Sequence, residues 1–263
     1  MITCHVIPMC LEYIWTFYIM FITSIIALCI EKKGNKGLNV LFFVTGMVTC
    51  FLDFLSTEIL TLFIPMIFVL IIRYEEQRLD NFKQGLKFII QTSMLWGIAY
   101  IGMWLAKWGL ASIILKINAM DYVTEKALNR INNLQDMRVF RFVLKGAISY
   151  NLKALYIMKL IKTSDAWLLA MQGLGVFVLI FWKWKNIKKM WFQLLLLLIA
   201  IMPYARYLIL ANHSYMHFMF TFRLQFITII ALLWIIIKSV NWKIIFNKKV
   251  ITNGINNINT MFK

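Results

Sequence analysis

Apolar residues gather along this chain in long, nearly unbroken runs rather than in the short alternating clusters of a soluble helix or strand. A helix crossing a bilayer needs about 20 mostly apolar residues. Runs at 11–30, 39–53, 58–72, 86–106, 166–182, 190–210 and 223–238 approach that length. The pattern predicts an all-α, polytopic integral membrane bundle of about seven transmembrane helices in a single domain spanning residues 1–263.

The second and third runs are short and are parted only by Asp53 to Glu58, so they form either a tight hairpin or a re-entrant pair. Pro65 suits a kink, which membrane helices tolerate where neighbours satisfy the freed carbonyl. In the fourth run, Gly97, Ala99 and Gly102 suit close helix approach, and Gly109–Leu115 continues it along the far surface. Residues 116–163 form the one long polar interval. Ile117, Met120, Leu128, Ile131 and Leu134 recur there near helical spacing, which predicts an amphipathic, extracytoplasmic helical segment on the membrane surface. The run at 166–182 ends in the basic turn Lys183–Lys189, and the Lys- and Asn-rich tail from Lys238 reads as interfacial or partly disordered.

Composition agrees with the bilayer as solvent. The chain is 62% hydrophobic, against about 45–50% for a soluble domain, and its mean hydropathy is +0.75. The net charge of +17 would suggest nucleic acid in a soluble protein. Here the cations lie between apolar runs, where positive-inside orientation and anionic headgroups favour them, so nucleic acid is not an expected partner. Lys32, Lys33 and Lys36, then Arg73, Arg78, Lys83 and Lys87, then Lys183, Lys185, Lys188 and Lys189, and finally the tail lysines fall on one side of a seven-span chain. That side should be cytoplasmic, with the C-terminus. The N-terminus, the Asp53–Glu58 turn, residues 116–163 and Asn212–Arg223 then lie outside. The N-terminus MITCHVIPMCLEY has no basic region and no small-residue cleavage site, so it does not read as a signal peptide. Cys4, Cys10, Cys29 and Cys50 show no metal spacing and read as small apolar residues, with Cys4–Cys10 open as a disulfide if outside.

Few polar residues are positioned for chemistry. Asp53, with Glu58 one short turn away, sits at a membrane boundary and suits a general base, a metal ligand or a sugar-hydroxyl acceptor; the plainer reading is a helix-capping turn. His213 and His217 are four apart and share a helix face. They suit acid–base work beside Asp53 or Tyr215, or plain hydrogen bonding in an aromatic interface. A zinc site would need a third ligand, so no metal and no cofactor is expected. Arg206 lies inside an apolar run and must snorkel or pair with an acid. With Arg223, Lys107 and the basic residues of the long segment (Arg130, Arg138, Arg141, Lys145) it suits binding of a phosphate or pyrophosphate headgroup, with Asn212 and Tyr215 as further substrate contacts. A solvated surface is the plainer reading of Arg130 to Lys145.

Thr45–Met66, Trp96–Leu115 and Tyr207–Arg223 (YLILANHSYMHFMFTFR) together resemble the later part of a family of large, uncharacterised polytopic membrane proteins of Gram-positive bacteria. Their architecture is similar to that of the GT-C glycosyltransferases. The resemblance implies a multi-pass protein of the bacterial cell membrane, acting on polyprenyl-phosphate-linked sugars in envelope polysaccharide or glycolipid assembly. GT-C enzymes usually carry their catalytic acid in the first extracytoplasmic loop, a region with no match here, so no catalytic residue carries over. The resemblance thereby also implies a truncated or non-catalytic relative, or a membrane partner supplying the missing N-terminal part. A transporter or flippase subunit, with the hairpin as a discontinuous helix, and an accessory membrane protein are the competing readings.

Overall fold

The computed structural model describes residues 14–34, 37–53, 56–132, 137–155 and 190–239. Among them the secondary structure is entirely helical. The helices are α1 (Trp15–Lys32), α2 (Leu38–Leu52), α3 (Leu60–Glu75), α4 (Phe82–Leu115), α5 (Ala119–Asn132), α6 (Met137–Leu155), α7 (Trp191–Ile209), α8 (Ala211–Met216), α9 (Phe218–Thr221) and α10 (Gln225–Ser239). A 3-10 turn, Phe222–Leu224, joins the last two.

Among the described residues four stretches are long and apolar enough to cross a membrane: Trp15–Lys32, Phe82–Leu115, Trp191–Ile209 and Phe218–Ile237. Leu38–Leu52 is apolar but shorter. This is fewer than the seven runs of the sequence, for separable reasons. The pair 39–53 and 58–72 becomes α2 and α3, of 15 and 16 residues. The run at 166–182, the turn after it, Cys4 and Cys10 lie outside the described residues.

α3 is the centre of the bundle. From Leu60 to Ile71 every residue but Phe68 is buried, and the helix runs unbroken through Pro65. A helix that is apolar all round suits either a protein core or lipid, and here its burial by neighbouring helices puts it inside. α1 and α10 pack on it, α2 packs between α1 and α4, and α7 packs on α10. The outer helices turn apolar side chains away from the core: Ile22 and Ile25 on α1, Phe43 and Val44 on α2, Ile98 and Ile101 on α4.

Close approach comes from a glycine the sequence did not single out. A methyl at Gly46 on α2 would sit 2.3 Å from the Trp96 carbonyl oxygen and 3.2 Å from Ala99 Cβ on α4. Gly97 and Gly102, expected at a contact, face open space, and only Ala99 of that trio is buried. α4 runs on as one helix to Leu115, so Gly109–Leu115 continues the fourth run without a break.

The partners of the helix termini define two ends. At one, Thr16 at the start of α1 donates to Asp53, and Arg206 near the end of α7 reaches Glu58. At the other, Glu31 near the end of α1 pairs with Arg73 and with Arg78 (2.6 Å). Tyr74 stacks on Phe192 at the start of α7 with ring centroids 4.1 Å apart. The Lys32–Lys33 and Arg73–Lys83 loops share this second end, as the charge pattern requires of one side.

Candidate functional site

Hydroxyl groups tie the four N-terminal helices together along one seam. Thr23 and Thr45 meet across α1 and α2 at 3.1 Å, and Thr49 and Thr61 across α2 and α3 at 2.8 Å. Trp96 Nε1 of α4 donates to Thr61 Oγ1 at 3.2 Å. Such bonds link helices where lipid offers no hydrogen-bonding alternative. Thr45 and Thr49 are four apart and flank Gly46, a one-face spacing legible in the sequence but passed over there.

The seam leads to Asp53. The helix ends at Leu52, so Asp53 belongs to the turn and is 9% exposed. Its Oδ1 accepts from Thr16 Oγ1 (3.0 Å) and Ser56 Oγ (2.7 Å), and its Oδ2 from the Ser56 backbone N–H (3.0 Å). Asp53 thus folds the turn back on itself and anchors α1, instead of capping α3, whose N-cap is Ile59. Burial, and then the nearby Glu58 carboxylate, raises its pKa from 3.8 to about 6, against the pull of the Ser56 and Thr16 hydrogen bonds.

Glu58 is where the two halves of the chain meet. Arg206 Nε donates to Glu58 Oε1 at 2.9 Å and Nη2 to Oε2 at 3.4 Å, joining residues 148 apart in sequence. Arg206 Nη1 donates to Ser214 Oγ at 2.9 Å. The pairing half of the sequence expectation for Arg206 holds, and the snorkelling half does not, because both side chains are buried. Its guanidinium is committed to protein partners, which leaves it poorly placed to clamp a phosphate.

After Leu210 the chain breaks into the short helices α8 and α9, and α6 braces them. Asn151 is fully buried; its Nδ2 donates to Ser214 O (3.0 Å) and Ala147 O (2.6 Å), and its Oδ1 accepts from Thr221 Oγ1 (2.7 Å). Gln225 Nε2 donates to the Asn151 carbonyl at 2.7 Å, and Tyr207 OH to the Thr221 carbonyl at 2.9 Å. Sequence reading missed Asn151 because a lone Asn on an amphipathic helix carries no periodic signal.

His213 and His217 share a face, with ring centroids 4.6 Å apart; His213 is buried and His217 exposed. Tyr215 is half-buried against Gly146, where an added methyl would meet its ring at 2.6 Å, and Asn212 is half-buried on α8. Arg223, expected to face outward, is instead 1% exposed inside the bundle, with its guanidinium 5.7 Å from the Phe220 ring. Lys107 stands on the α2 side, its amine 3.5 Å from the Cys50 carbonyl oxygen and 5.5 Å from the Phe51 ring. The turn end therefore joins Glu58, Arg206, Ser214 and the histidine pair. Asp53 is held on the α1 side of the turn, and Arg223 lies deeper. Among the described residues no group of three or more His, Cys, Asp or Glu is placed to hold a metal ion.

Burial, then Arg206 and His217, lowers the His213 pKa from 6.5 to about 4; Glu58 opposes the shift and Arg130 of α5 adds to it. His213 should stay neutral across pH 5–8, so its imidazole carbon-bound protons should hold their NMR shifts until the pH nears 4. A folded pKa below the unfolded one means that the unfolded chain binds the proton first. Stability should therefore fall as pH drops through the window from 6.5 to 4. A His213 that titrates near 6.5 would contradict this geometry.

No protein-family model, curated protein or solved structure matches the chain.

Proposed function

We propose that this is a multi-pass protein of the bacterial cell membrane with GT-C glycosyltransferase-like architecture, working on a polyprenyl-phosphate-linked sugar at the outer face in envelope polysaccharide or glycolipid assembly. The observation that carries the reading is convergence at the turn end. Glu58 of the turn meets Arg206 and, through it, Ser214 there, opposite the end that gathers the basic loops. On this reading the basic end is cytoplasmic, the turn end faces out, and α5 and α6 form the extracytoplasmic segment. Asp53 is the base or sugar contact, and His217 and Lys107 are the exposed groups that meet the donor phosphate. Arg206 and Arg223 hold the site together rather than bind substrate.

A second reading, a non-catalytic accessory protein, draws support from the three hydrogen bonds that Asp53 already accepts. The test uses membranes containing the chain and radiolabelled polyprenyl-phosphate-linked hexoses. For an enzyme, Asp53→Asn should lower sugar transfer about 100-fold or more, the scale of a lost general base, while the protein still accumulates in the membrane. Unchanged transfer, or none with the native chain, favours the accessory reading.

A further inference from the structure

We infer that the outer face of α6 is a docking surface for anionic phospholipid headgroups, backed directly onto the His213–His217 segment. The inference rests on the bundle lying in a bilayer, as proposed above, but not on sugar transfer.

The two faces of α6 differ in kind. Val143, Ala147 and Asn151, at successive four-residue steps, are buried against α8. The opposite face carries the exposed Arg141 and Lys145, and Phe142, 61% exposed, stands at its border with α8. From Met137 to Leu155 the helix has four basic residues, Arg138, Arg141, Lys145 and Lys153, and no acidic one. The acids of the preceding helix, Asp121 and Glu125, lie in its first half, and its last turn ends with the exposed Arg130. A face that carries the exposed Arg141 and Lys145 beside an exposed aromatic, on a helix with no acid of its own, matches a layer that is anionic at the surface and apolar just beneath.

Two further features set this face at headgroup level. Around Phe142 lies an aromatic cluster: Phe142 meets Tyr215 edge-on at 5.9 Å, and Tyr150 contacts Tyr215 at 5.4 Å and Phe218 at 5.3 Å. Aromatic clusters of this kind, part exposed and part half-buried, collect at membrane–water interfaces. Beyond Lys107, α4 extends for eight more residues, about 12 Å at 1.5 Å per residue. Its tip leaves Leu110, Ile113, Ile114 and Leu115 exposed, with Ile113 at 75%. In water that tip would be an uncovered apolar knob, whereas in the interfacial layer it is solvated by acyl chain. Nucleic acid would satisfy the cations but leave Phe142 and the α4 tip bare.

Because Asn151 links α6 to Ser214, Thr221 and Gln225, lipid held on the outer face bears on the segment that positions both histidines.

The experiment places an NBD fluorophore at Phe142→Cys, with Cys4, Cys10, Cys29 and Cys50 replaced by serine, and compares nanodiscs of phosphatidylcholine alone with discs containing phosphatidylglycerol. Each basic residue at an anionic surface is worth about fivefold in occupancy, so Arg141 and Lys145 together give about 25-fold. NBD emission should shift to the blue, and iodide quenching should fall, only in the anionic discs. Arg141→Glu with Lys145→Glu should return both signals to their neutral-lipid values. Equal iodide quenching in the two lipids overturns the proposal. So does equal protection in both, which would assign the face to a protein contact. Failure to enter either disc would instead reject the membrane reading beneath it.

Discussion

Replacing Arg206 with methionine should cost the fold about 3–5 kcal/mol, because it leaves the Glu58 carboxylate buried without its partner. The guanidinium lies at the join between the N-terminal hairpin and the broken segment after α7, and it bonds both Glu58 and Ser214. Losing it should separate the two halves at the turn end, seen as a lower melting temperature in detergent by fluorescence-detected size exclusion. The pair itself is a different matter. Two charges taken out of water together recover little net energy, so well-packed apolar replacements are often neutral or stabilising. The double variant Glu58→Leu, Arg206→Met should therefore recover most of the loss. A double variant as unstable as the single one would mean that Arg206 acts through Ser214 rather than through the ion pair.

Gly46→Leu should be the most damaging change on the α2–α4 contact, and even Gly46→Ala should cost about 1–3 kcal/mol, the usual range for overpacking. The obstruction is backbone: an added Cβ would stand 2.3 Å from the Trp96 carbonyl oxygen, which no rotamer change can move aside. The helices must part, and the bond from Trp96 to Thr61 goes with them. Gly97→Ala is the control. Nothing lies within 4 Å of its added methyl, so it should be neutral or gain up to about 1 kcal/mol from helix propensity. Melting temperatures of the two alanine variants decide the matter, and equal effects would contradict the packing described here.

The sequence made the helical, apolar character of the chain plain, because runs of this length have no soluble alternative. Charge made the two ends plain, since basic loops avoid crossing the bilayer. Partners were harder to read. Arg206 stood out as a charge in an apolar run, but its acid, Glu58, is 148 residues away, and nothing local marks that pair. Glycines were misjudged for a similar reason. Gly97 and Gly102 form a small-residue pattern, yet which face of a helix meets a neighbour is set by the whole bundle, and the bundle chose Gly46. Arg223 looked like a surface cation beside an aromatic loop, and the short helices α8 and α9 fold it inside. Asn151 gave no signal at all, since its value lies in three bonds to groups that only folding brings near.

Everything proposed for the turn end depends on its facing away from the cytoplasm. Ser214 is fully buried and suits no surface probe, whereas Glu125 on α5 and Lys33 after α1 are exposed at opposite ends. The decisive measurement is thiol labelling of Glu125→Cys and Lys33→Cys, each in a background with the native cysteines replaced, using a membrane-impermeant maleimide on intact cells. Glu125→Cys should be labelled from outside, and Lys33→Cys only after lysis. The reverse pattern would put the turn end in the cytoplasm and contradict the lipid-linked donor site.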